Sequence, residues 1–213
     1  MVCPFCFFKE VILMQLFGVS LGEGIKKVGE VFTFSLPSHI TCPGMSIWCK
    51  KHCYAYRYER RRPKCQKAYQ NNFALTQNID NFITTMIGIL PRIMPCFRIH
   101  ISGDFYSIEY IEAWQKICSA FPQTKFWTYS RSWNVSELLP SLNTLRTLPN
   151  VQIFASTDPT IRLPPEDWRI AFIETDLRAN GLICLAQTKE KHSCLQCGYC
   201  FNQKDVNIIF KVH

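Results

Sequence analysis

Seven of the twelve cysteines in this 213-residue chain fall into two tight groups, Cys42, Cys49 and Cys53 near the start and Cys184, Cys194, Cys197 and Cys200 near the end. A fold that gathers thiols in this way is constrained more by their shared chemistry than by any one hydrophobic run. The second group contains Cys194-Leu-Gln-Cys197-Gly-Tyr-Cys200, a C-x2-C-x2-C spacing. Steps that short let three thiolates converge on one four-iron cubane, the ligand pattern of bacterial-type ferredoxin sites. Structural zinc usually takes two paired knuckles a dozen or more residues apart, and three evenly spaced cysteines with no second pair fit it less well. Disulfide frameworks belong to small secreted chains, whereas no secretory signal is expected here and the length is enough to do without staples.

The early group reads TCPGMSIWCKKHCYA, a C-x6-C-x3-C spacing. Three cysteines in one loop can hold three irons of a four-iron cluster and leave the fourth open to a substrate, a cofactor or a remote cysteine. Lys50, Lys51 and His52 adjoin the sulfurs, and cations so placed are expected to depress thiol pKa values. His52 itself reads as an exposed loop histidine rather than a ligand. Cys184 lies inside a strand pattern, so a core thiol is its alternative reading. Cys3 and Cys6 form a C-x2-C without a partner pair nearby, and Cys65, Cys96 and Cys118 stand isolated.

Length and charge frame the rest. The chain is expected to form a single (β/α)-barrel domain over 1–213, with 1–30 an N-terminal extension and 187–213 a cysteine-rich C-terminal segment. It falls slightly short of the roughly 250 residues of a complete eight-stranded α/β barrel. A net charge of +8 hints at an anionic partner without defining a fold. The longest apolar stretch, Val2 to Val19, is interrupted by Lys9, Glu10 and Gln15, so no membrane span is expected. A soluble, cytoplasmic protein follows, in a reducing compartment where clustered cysteines serve metal or redox chemistry.

The hydrophobic pattern alternates between β-rich runs and helical stretches. Strands are predicted over 31–36 (VFTFSL), 97–102 (FRIHIS), 125–130 (KFWTYS), 151–156 (VQIFAS), 169–174 (RIAFIE) and 182–186 (LICLA), and helices over 66–90, 108–120 and 135–145. Such alternation means βαβ units and a parallel sheet. About six units point to a TIM-type barrel, incomplete or distorted, with a doubly wound open sheet as the alternative. Both architectures place their sites on loops after the carboxyl ends of strands. The cysteine loop follows the first strand, Ser102-Gly103-Asp104 the second, Ser130-Arg131-Ser132 the third and Ser156-Thr157-Asp158 the fourth. The sixth runs into the second cysteine group, so both groups are expected on one face. Asp104 and Asp158 can equally be helix caps.

The segments FSLPSHITCPG, CKKHCYA, RIHISGDF and CLAQT followed by CLQCGYC resemble the phage family called gene product eighty-eight, over roughly residues 31 to 202. More distantly, a three-cysteine loop after the first strand and a Ser-Gly-Asp turn after the second resemble the radical SAM superfamily. That likeness implies a partial (β/α)6 barrel with an open four-iron cluster and S-adenosylmethionine, which Ser102, Gly103 and Asp104 would contact. The superfamily pattern differs here, its loop usually being C-x3-C-x2-C and its turn Gly-Gly-Glu.

Three functions are open to such a chain. The first is a redox or radical enzyme with one or two 4Fe-4S clusters on the seven cysteines and Asp104 orienting a cofactor. The second is a hydrolase with a structural cluster, using groups such as His100, Asp104, Ser130, Ser156 and Asp158. No G-x-S-x-G elbow supports a serine nucleophile, and a strand-borne histidine is more often core. The third is a zinc-dependent nucleic-acid binder, whose basic run from Arg57 through Arg60, Arg61, Arg62 and Lys64 to Lys67 is interleaved with Tyr54, Tyr56, Tyr58 and Tyr69. Cations neutralise phosphates and tyrosines stack on bases, while a solvated helix face is the plainer reading of such a run.

Overall fold

Apolar residues at every second position along the strands divide the central sheet into two differently covered faces, and this division positions the cysteines. The structure is a computed structural model that describes residues 19–23, 31–188, 193–202 and 205–212. In chain order its elements are β1 (Gly22–Glu23), β2 (Phe32–Phe34), α1 (Ile47–His52), α2 (Tyr54–Arg60), α3 (Pro63–Thr76), α4 (Ile79–Ile89), β3 (Cys96–Ile99) and α5 (Ile108–Ala120). They continue with β4 (Lys125–Ser130), a 3-10 turn (Ser132–Asn134), α6 (Leu139–Arg146), β5 (Val151–Ser156), β6 (Ile170–Ile173), β7 (Leu182–Ile183), α7 (Leu185–Thr188), α8 (Cys194–Cys197) and β8 (Ile208–Phe210).

The sheet order is β1-β2-β3-β4-β5-β6-β8-β7. β1 is antiparallel to β2, and the other seven strands are parallel. From β2 to β6 each strand lies beside its successor, so the sheet winds in one direction and lacks the reversal that marks a doubly wound fold. The sheet is not closed, with β1 and β7 at its edges. The protein is therefore mixed α/β with a seven-stranded parallel array. No helix among the described residues is long and apolar enough to cross a membrane.

Right-handed crossovers between successive parallel strands put the connecting helices on a common face. There Phe34, Phe97, Ile99, Phe126 and Ile153 share one core with Phe82 and Met86 of α4, Trp114 and Ile117 of α5, and Leu142 and Leu145 of α6. Burying an aromatic or large aliphatic side chain contributes about 1.5–3 kcal/mol. The alternate residues Cys96, Trp127, Phe154 and Ala171 lie in a second cluster with Ile208, Cys184 and Cys200. The cysteine-bearing C-terminal segment thus covers the face that the helices leave free.

Two predicted elements differ. The helix expected over 66–90 is two helices, because Asn78 caps α4 by accepting from the Asn81 amide at 3.0 Å, and a cap starts a new helix. The strand expected over 182–186 is the two-residue β7 followed by one helical turn. The place beside β6 belongs to β8, paired Ala171 to Ile208 and Phe172 to Ile209. A five-residue apolar run carries no periodicity that separates a strand from a helix. Cys3, Cys6 and most of the N-terminal extension lie outside the described residues.

Candidate metal centre

At the carboxyl ends of the parallel strands, on the helix-free face, a cavity of about 640 Å³ is lined by Cys42, Cys49, Cys53, Cys184, Cys194, Cys197 and Cys200. All seven are free thiols. Its walls also carry Arg98, Tyr129 and Ser156 from β3, β4 and β5.

The first cysteine loop is held from several directions. Ser46 caps α1, accepting from the Cys49 amide at 2.9 Å while donating to Asp158 Oδ2 at 2.6 Å. Asp158 accepts further bonds from the Thr160 hydroxyl and amide, at 2.5 and 2.9 Å, and forms an ion pair with Arg131. Burial raises the Asp158 carboxyl, but the Ser46 and Thr160 hydrogen bonds and the Arg131 charge together hold it below its ordinary value. Gly44 lies against the Arg131 backbone so closely that a Cβ would stand 2.0 Å from the Arg131 carbonyl oxygen. Beyond the loop, Cys53 Sγ accepts from the Tyr56 amide at 3.4 Å as the α2 cap, and the Tyr54 hydroxyl donates to the Ile101 carbonyl at 2.7 Å. Buried Glu59 accepts from the Ser38 amide and from the Ser102 hydroxyl.

The second group hangs from the sheet edge. The Cys184 amide donates to the Ile209 carbonyl at 2.9 Å, fixing that thiol at the end of β7. Ser193 caps the single turn Cys194–Cys197, and Gly198 ends it at φ 66°, a left-handed position glycine adopts without strain. Phe201 packs on Trp127 with centroids 5.0 Å apart, which seats the segment on the sheet.

The turn expected to bind a cofactor serves as a clasp between strands. Asp104 accepts from the Ser130 hydroxyl (2.7 Å), the Arg131 amide (2.7 Å) and the Phe105 amide (2.8 Å), and its carboxyl is raised by burial against those bonds. Gly103 sits at φ 77°, with Leu36 Cβ and Thr41 Oγ1 each 2.6 Å from where a Cβ would be. His100 is buried among Phe105, Tyr110 and Trp114, with Nε2 2.9 Å from the Tyr110 hydroxyl, and burial lowers its pKa to about 3. It is a neutral core histidine at φ 62° that touches the cavity wall. Of the hydrolytic candidates, Asp104, Ser130 and Asp158 are thus engaged with one another's strands, while Ser156 lines the cavity.

The thiols do not follow the expectation drawn from Lys50, Lys51 and His52. Burial raises Cys42, with Asp104, Cys49 and Cys53 adding to it. Cys49 and Cys53 are also raised by burial, Arg131 opposing at Cys49 and the Tyr56 amide at Cys53. Cys200 is pushed up to about 12 by burial and by Cys194, Cys184 and Cys197, against a hydrogen bond with Tyr129. Lys50 and Lys51 are exposed on α1 and His52 stacks on Trp48, and burial is the first cause of the shift at each thiol of the first loop. Among the described residues no group of three or more His, Cys, Asp or Glu side chains is disposed to hold one metal ion as it stands. The donor set still fits a thiolate-ligated cluster in kind: free thiols around a common space, whose thiolate forms repel one another and would be stabilised by a cation. Their side chains would have to turn toward shared points to ligate.

The basic run divides between α2 and the start of α3. Arg57, Arg61 and Arg62 line the cavity with Tyr58, and Arg62 lies 3.8 Å over the Tyr58 ring. Arg98 escaped the sequence reading, although period-two alternation in FRIHIS puts it opposite Phe97 and Ile99. Burial opposes its charge, but Tyr54, Tyr129, Cys194 and Cys200 together favour it.

The sequence model of the gene product 88 family matches residues 19–203. The Gene 88 protein of Mycobacterium phage L5 is 26% identical over 221 aligned residues, covering 88% of this chain and 89% of that protein. The Gene 88 protein of Mycobacterium phage D29 is 28% identical over 151 residues, covering 64% of this chain and 60% of that protein. No solved structure matches the chain. A family match spanning most of the chain, including both cysteine groups, means that the chain belongs to the gene product 88 family.

Proposed function

We propose that this protein binds iron-sulfur clusters in the cavity at the carboxyl ends of its strands and uses them in a redox or radical reaction. The observation that carries the reading is the convergence of all seven grouped cysteines on one cavity, from positions as far apart in sequence as Cys42 and Cys200. Cys42, Cys49 and Cys53 would hold an open four-iron cluster, and Cys184, Cys194, Cys197 and Cys200 a fully ligated one. Bound there, such clusters would supply one-electron chemistry, with an open iron available to a ligand.

The chain's own residues support these roles. Ser46, Asp158 and Arg131 fix the backbone of the first loop, so its three thiols start from a rigid base. Asp104, in the loop after β3, ties that loop to Ser130 and Arg131 at the end of β4. Trp48, Met45 and Tyr129 add apolar wall to the cavity beside the thiols.

Purification without oxygen, followed by visible absorption and metal quantitation, tests the reading. It predicts a brown protein with broad visible absorption that dithionite bleaches and with acid-labile sulfide. A colourless protein holding zinc and no sulfide would contradict it and favour a structural zinc centre.

A further inference from the structure

We propose that the cavity takes a small anionic substrate whose phosphate or carboxylate group is received by Arg98, in the space that both cysteine groups line. This names a substrate class for the same site and rests on reading that site as a cluster-bearing active centre.

Arg98 is a cavity cation whose charge is favoured by tyrosines and cysteines rather than by a carboxylate. It projects from β3 onto the helix-free face, half-buried, and lines the cavity. Its Nε donates to the His100 carbonyl at 3.3 Å, and its guanidinium lies 5.2 Å from the centre of the Tyr129 ring. Tyr54, next to Cys53, and Cys194 and Cys200 of the second group all act on its charge. Among the described residues no carboxylate pairs with it. Arg131, Arg146 and Arg178, by contrast, each hold an aspartate: Asp158, Asp167 and Asp176. Half-burying a guanidinium without a carboxylate is costly unless an anion arrives to complete it.

The remaining charges agree. Asp104 is the one carboxylate lining the cavity among the described residues, and three donors from β4 and its own turn already occupy it. Arg57, Arg61, Arg62 and Lys211 line the cavity as well. A concave site in which one sign of charge predominates focuses its field and raises the local concentration of counter-charged ligands. A volume of about 640 Å³ lies within the range of small-molecule pockets. A planar guanidinium suits bidentate contact with either phosphate or carboxylate.

Isothermal titration calorimetry at low salt tests this on the full chain purified without oxygen, with iron and sulfide counted on the same sample. Inorganic pyrophosphate and citrate are the probes, and the tighter of the two tells phosphate from carboxylate. The expected result is saturable 1:1 binding of at least one probe, weakened about tenfold or more by Arg98→Gln and less by Arg98→Lys. Arg92→Gln, altering an exposed arginine stacked on Phe121, serves as the control and keeps binding. Thermal melts show whether each variant is folded. No saturable binding to an iron-loaded sample, or equal binding by the folded Arg98→Gln protein, overturns the anion site. Absence of iron and sulfide is instead the failure of the cluster reading. Loss of iron in Arg98→Gln with no wild-type probe binding would mean that Arg98 only balances the thiolates, which also overturns the proposal.

Discussion

The two cysteine groups share one cavity but are held in different ways. The first is built into the sheet ends: Ser46 and Asp158 fix the turn, Gly44 lies on the Arg131 backbone, and Glu59 and Tyr54 tie the following helix to Ser38, Ser102 and Ile101. The second depends on edge strand β7, one capped helical turn and the packing of Phe201 on Trp127. On the proposed cluster reading, the difference teaches that a site leaving one iron open would need its backbone fixed beforehand. A fully ligated site can be ordered by the metal it binds, because metal binding and folding are coupled.

The comparison breaks first at Asp158. Asp158→Ala leaves Arg131 without its carboxylate and Ser46 without its acceptor, and should cost about 3–5 kcal/mol, measurable by denaturant unfolding. Cluster content should fall at the first group and persist at the second. Because the folded Asp158 carboxyl lies below its ordinary value, its contribution is present above about pH 4 and is lost as pH falls through the folded pKa. Unfolding free energy of wild type should therefore drop over that acidic window, and the Asp158→Ala protein should show a smaller drop.

Gly44→Ala comes next, at about 2–3 kcal/mol, since the new methyl meets backbone rather than a movable side chain. Differential scanning calorimetry would show a drop of roughly 4–12 °C. A variant that melts like wild type would mean that the loop is not seated on β4 as described.

Removing metal by chelation sharpens the contrast. Hydrogen exchange should accelerate roughly tenfold or more at residues 193–202 and change little at residues 41–53, where protein hydrogen bonds hold the chain. Equal acceleration in both would place the two loops in one metal-dependent unit. The smallest effect is expected from Ser46→Ala, about 1 kcal/mol for a lost helix cap, read in the same unfolding experiment.

Much of this was legible because the chemistry was local. Five of the predicted strands, the one-sided cysteine groups and the loops after Ile99, Ser130 and Ser156 follow from period-two runs and spacing alone. Long-range pairing was less so. β8 is three residues near the chain end, with no flanking turn signal strong enough to set it beside β6 ahead of LICLA. Asp104 and Asp158 read equally as helix caps or site residues from the sequence, because Ser46 to Asp158 and Ser130 to Asp104 are contacts between distant loops. Arg98 was in plain view in FRIHIS, but its isolation from carboxylates is a property of the assembled cavity.

The central claim is that the two groups hold separate clusters. Iron and sulfide per chain, counted after purification without oxygen for wild type and for the triple variants C42S/C49S/C53S and C194S/C197S/C200S, test it most directly. The account predicts about eight of each in wild type and about four in either variant, one four-iron cluster surviving each time. About four in wild type and none in either variant would show one cluster shared between the loops and would contradict it.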